Sequence, residues 1–127
     1  MSRIDALKDL LAKVEAGAAI DRLTIWKAFD REARFGGWPI GQIFDWILDP
    51  QDVRAMGAAK ALHEEELPGW RWSVGYSVLG SGHLATVYLP HADDSKWKVE
   101  VASSNNPARA LLIAILKALI AIEEDRA

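Results

Sequence analysis

The chain of 127 residues contains no cysteine, which removes disulfides, thiolate metal sites and cysteine nucleophiles together. An oxidising compartment is therefore not required of it. Long apolar runs are missing too. The longest, residues 110–116, is closed by Lys117 and falls far short of the roughly 20 residues that span a bilayer. The opening Met1-Ser2-Arg3-Ile4-Asp5 lacks the apolar core of a secretory signal, so a cytoplasmic location is expected. Positive charge is not in excess. Fifteen Lys and Arg against 18 Asp and Glu leave a formal charge of -3, which gives no general pull toward nucleic acid or an anionic membrane. A local basic patch stays open. Repeats and low-complexity tracts are absent, and the length suits one domain over residues 1–127. What the chain has in abundance is tryptophan. Six large amphipathic rings are costly to leave bare, so they fill a core, an interface or a binding surface.

Helical spacing begins at the N-terminus. Ser2 is a cap with Asp5 three residues on, Ile4, Leu7, Leu11 and Val14 recur on one face, and Gly17 is the stop. Asp21 opens a second pattern with Leu23, Trp26 and Phe29 inward, ended by Gly36-Gly37. Trp38-Pro39 reads as extended, because proline restricts the residue before it. Ile40, Ile43, Phe44 and Ile47 give a short third helix, and a further one runs from Pro50 to Leu67. Pro68-Gly69 breaks it.

Strand periodicity follows. Trp70, Trp72, Val74, Tyr76 and Val78 alternate with polar or small residues, and Gly80-Ser81-Gly82 is a hairpin link. Residues 83–89 form a second strand, a solvated turn covers 91–95, and Trp97, Val99 and Val101 mark a third. Short links require antiparallel pairing. Asn106 and Pro107 then cap and start the last helix, whose Ala108, Leu111, Leu112, Ile115, Leu119 and Ile122 face the sheet. Ile113, Leu116 and Ile120 fall outside that stripe and need a second cover, from a second subunit or from the N-terminal helices, residues 21–50 among them. The expected class is α+β: N-terminal helices, then a helix, a three-stranded antiparallel meander and a C-terminal helix packed on the sheet.

The A-L-H-x-x-x-L-P-G-W-x-W segment, the W-S-V-G strand and the N-P-A-R-A-x-L-x-A-I-L-K-A-L-I-A helix resemble small phage and prophage proteins of the phage ABA sandwich domain type. The resemblance covers the second half of the chain, the α-β-β-β-α module of residues 51–127. It implies phage origin and layered α/β packing, and it transfers no catalytic residue. Residues 21–50 depart from the pattern and read as an addition particular to this chain.

No constellation of catalytic or cofactor-binding residues stands out. His63-Glu64-Glu65-Glu66 lacks the zincin's second histidine, since Leu67 stands four residues on. His91, Asp93 and Asp94 offer too few oxygens for a calcium loop. His83 has no nucleophile elbow beside it. The Ser103-Ser104-Asn105-Asn106 run reads as capping, without a glycine-rich cradle or P-loop lysine. The reading is a non-enzymatic protein without metal or cofactor. It would bind a host or phage protein stoichiometrically in a bacterial cell, as an inhibitor of host defence or an accessory regulator. Trp38, Phe44 and Trp46 are the expected partner-binding residues. Ile113, Leu116 and Ile120 are expected to mediate a homodimer. The alternative is a nucleic-acid or nucleotide binder that uses Arg71, Tyr88, Lys96 and Lys98 on the open sheet face, where cations beside an aromatic ring suit single strands.

Overall fold

Ser2 opens the first helix by accepting a hydrogen bond from the Asp5 amide at 3.2 Å, and Gly17 closes it in a left-handed conformation, φ 70°. The computed structural model that gives these distances describes residues 2–76, 82–90, 98–103 and 106–126. This helix, α1 (Arg3–Ala16), buries Ala6, Leu7, Leu10 and Val14, a face slightly rotated from the expected one. α2 (Arg22–Ala28) is capped by Asp21, whose carboxylate accepts from the Thr24 amide at 2.8 Å. That bond holds the Asp21 carboxyl below its ordinary pKa. Thr24, Ile25 and Ala28 form the buried side, with Phe29 next. Leu23 and Trp26, expected inward, face solvent instead. The Arg31 guanidinium lies over Trp26, 5.0 Å from its centroid, so the outward ring keeps a partner at the surface.

Gly36-Gly37 does not end α2. The pair forms the tip of a hairpin between β1 (Arg34–Phe35) and β2 (Trp38–Pro39), with φ of 60° and 89°. A type I′ turn demands positive φ at both central residues, and glycine supplies it without a clash. α3 (Ile40–Leu48) follows at once and buries Ile40, Ile43, Phe44 and Ile47, as its spacing expects. The next helix starts later than expected. The Asp49 and Asp52 carboxylates accept from the Gln51 and Arg54 amides, each at 2.9 Å, and these local turns occupy the chain until α4 (Ala55–Glu66) begins.

β3 (Arg71–Tyr76), β4 (His83–Tyr88) and β5 (Lys98–Ser103) pair antiparallel in that order. Trp72 stands opposite Val87 and Val87 opposite Val99, while Val74 opposes Ala85. Ala85 and Val87 are fully buried, and Trp72 and Val74 pack partly buried against the same core. Gly80 and Ser81 of the expected link, the 91–95 turn and Trp97 lie outside the described residues. The α+β class read from the sequence is the class the chain adopts.

α5 (Pro107–Arg126) is the centre of the molecule, touching the sheet, α1, α3 and α4. Ile113, Leu116 and Ile120 are buried along with the stripe that faces the sheet. A helix that is apolar all round belongs inside, and here the chain's own helices provide the second cover. The three side chains are therefore no self-association surface, and the premise for a dimer is corrected. Buried Asn106 fixes the start of α5. Its Oδ1 accepts from the Arg109 amide and its Nδ2 donates to the Ile47 carbonyl, both at 3.1 Å, which ties α5 to the end of α3. Among the described residues, no helix is long and apolar enough to cross a membrane.

Candidate functional site

The segment the sequence singled out becomes the wall of a cleft. The β1–β2 hairpin sits against α3 and α4, and where the three meet a groove of about 320 Å³ opens. Its floor is apolar, with buried Phe35 and Ile43 beneath and Gly57, Ala58 and Ala61 of α4 along one side. Trp38 stands at the lip, 52% exposed. Its ring meets Trp46 edge-on, with centroids 5.0 Å apart and planes at 73°. This T-shaped arrangement satisfies both ring quadrupoles. The Arg54 guanidinium lies over Trp46, 4.5 Å from the centroid. Two hydrogen bonds to Asp52, at 2.9 and 2.8 Å, fix the guanidinium there and hold the Asp52 carboxyl below its ordinary pKa. Val53 projects beside them and is 97% exposed.

Of the three residues expected to bind a partner, Trp38 and Trp46 come together and Phe44 does not. Phe44 is buried on the core side of α3, with its ring 5.9 Å from that of Phe29. It cannot contact a partner, and that assignment is corrected. Trp46 is also largely buried, so it supports Trp38 more than it presents itself. Sequence reasoning missed Val53, Arg54 and Gly57. The Asp49 and Asp52 turn signals were there, but a helix starting at Pro50 would have buried that stretch. Gly57 matters by what it lacks. A Cβ built on it meets nothing within 4 Å, so the groove above it is open space.

The alternative site is partly assembled. Strand register places Arg71, Tyr88 and Lys98 directly opposite one another in a single row across the sheet. The next row aligns Ser73, Thr86 and the acidic Glu100. Lys96 and His91 lie outside the described residues. No group of three His, Asp or Glu among the described residues is placed to hold a metal ion.

His63, which opens the His63-Glu64-Glu65-Glu66 run, is buried near the end of α4. It is 2% exposed, its Nε2 has no hydrogen-bond partner among the described residues, and its ring stands edge-on to Trp72 at 6.5 Å. Burial lowers its pKa below the usual 6.5, against a weaker opposing pull from Glu64. The unfolded chain thus binds a proton more readily than the fold does. Stability from this group is complete above about pH 6.5 and falls as pH drops below it. Glu66 acts in the opposite sense. Burial raises its pKa despite Arg3 at 3.6 Å, so protonating it favours the fold at lower pH. Melts between about pH 7 and pH 5.5 should show the temperature falling, and His63→Gln should flatten that slope. An unchanged slope in the variant would remove His63 as the cause.

No family model, curated protein or solved structure matches the chain, so what this cleft does rests on its own geometry.

Proposed function

We propose that the chain is a non-enzymatic binding protein that acts stoichiometrically on a protein partner, host or phage, through the Trp38 cleft. The observation that carries this reading is the half-exposed Trp38 held edge-on against Trp46 at the lip of an apolar groove. A rigid exposed aromatic beside an open apolar slot is the arrangement of an interface anchor. Val53 extends the apolar surface on the far side, and Arg54 offers a fixed cation at the rim. Phage origin rests on the sequence resemblance alone, whereas a role in inhibiting host defence or in regulation is supported by the small size and the tryptophan-bearing segment. The test is affinity capture from bacterial host lysate with the wild type and Trp38→Ala side by side. The wild type should retain a partner in fixed stoichiometry. Trp38→Ala should lose it, with a binding deficit of about 2 kcal/mol or more. Equal capture by a folded Trp38→Ala protein would retire the reading.

A second reading is favoured by one observation, the cross-strand row of Arg71, Tyr88 and Lys98. It makes the open sheet face a binder of single-stranded nucleic acid or nucleotide, whose affinity would fall with salt and with Lys98→Glu.

A further inference from the structure

A pocket of about 430 Å³ lies between the last turn of α4 and the start of β3, lined by His63, Glu64, Trp70, Arg71, Trp72 and Tyr88. Three aromatic side chains in six is a high share for a surface pocket. Arg71 is exposed and has no ion-pair partner among the described residues. His63 forms part of the wall, with its Nε2 buried behind it. Register puts Arg71 and Tyr88 side by side on one sheet face, close enough for one small ligand to touch both.

We infer that this pocket binds a nucleotide, its base against the Tyr88 ring and its phosphate on the neighbouring Arg71. The two sources of that chemistry are a free mononucleotide and a nucleotide within a single strand. Aromatic faces stack any base, and a guanidinium meets a phosphate with two parallel donors. Glu64 supplies an acceptor for sugar hydroxyls or an exocyclic amine. The inference rests on the second reading of the sheet face and sharpens it, since it moves the base from the flat sheet into a pocket with His63 as one wall. It is independent of the Trp38 cleft.

Calorimetric titration of the whole chain with 5′-AMP, adenosine and a short oligodeoxyadenylate tests it. Saturable binding of 5′-AMP is expected. Arg71→Glu, a surface change that leaves the core intact, should weaken 5′-AMP at least about tenfold and leave adenosine nearly unaffected. Tyr88→Ala should weaken both. If the oligonucleotide binds more tightly than 5′-AMP and both respond to Arg71→Glu, the strand is the source; if it adds nothing, the free nucleotide is. The pocket is overturned if 5′-AMP shows no binding up to millimolar concentration, or if Arg71→Glu leaves its affinity unchanged. Oligonucleotide binding lost in Lys98→Glu, with no 5′-AMP binding, overturns the pocket and leaves the open-face reading standing. Absence of binding by all three ligands removes both.

Discussion

Ile115→Asp should leave the chain without a cooperative unfolding transition. Ile115 is wholly buried in the middle of α5, the helix that meets the sheet, α1, α3 and α4 at once. Removing the side chain forfeits about 1.5–3 kcal/mol of burial. Burying a carboxylate with no cation beside it costs several kcal/mol more, whether it ionises or is forced to hold its proton. The sum is comparable to the whole stability of a domain, about 5–15 kcal/mol. Circular dichroism melts are the check. A cooperative melt at the wild-type temperature would mean that α5 does not occupy the centre of the fold.

Trp46→Ala and Trp38→Ala should separate sharply in stability although the two rings touch. Trp46 is 8% exposed and closes the wall between α3 and the residue 50–54 turns, under Trp38 and Arg54. Its removal leaves a large void, and such truncations cost about 3–5 kcal/mol. The lower end applies here, because Trp38 and Arg54 are surface side chains free to settle into part of the space. Trp38 has solvent on one side already, so its loss should cost under about 1 kcal/mol. Urea denaturation midpoints measure both. Equal losses would contradict the division of labour in which Trp46 supports and Trp38 presents.

Much of this division was out of reach of the sequence. Elements whose signals are local were legible: the Ser2, Asp21 and Asn106 caps, the alternation of β3, the spacing of α3 and the sheet-facing stripe of α5. Residues 21–37 misled because Leu23, Trp26 and Phe29 mimic one helical face, while the buried face is Thr24, Ile25 and Ala28. The Gly-Gly pair then looked like a helix stop when it was a hairpin tip, since both uses require positive φ. What covers Ile113, Leu116 and Ile120 is a tertiary fact. The sequence shows that the apolar excess exists but not whether α1 and α4 or a second subunit absorbs it. The cleft follows the same rule. Trp38 and Trp46 were visible as rings without a partner in any stripe, whereas the Gly57 face of α4 that stands across from them depends on how the helix packs.

The docking claim is tested most directly by filling the groove instead of emptying it. Gly57 lies within α4 at the cleft wall with open space where its side chain would be. Gly57→Leu therefore places an isobutyl group in the groove and exchanges a poor helix former for a good one, a change worth about 0.5–1 kcal/mol in favour of the fold. Melting temperature and partner affinity should be measured on the same preparation. If the cleft receives the partner, the melt is unchanged or higher while affinity falls at least about tenfold. A Gly57→Leu protein that melts as well as the wild type and binds the captured partner with undiminished affinity would contradict docking at this site.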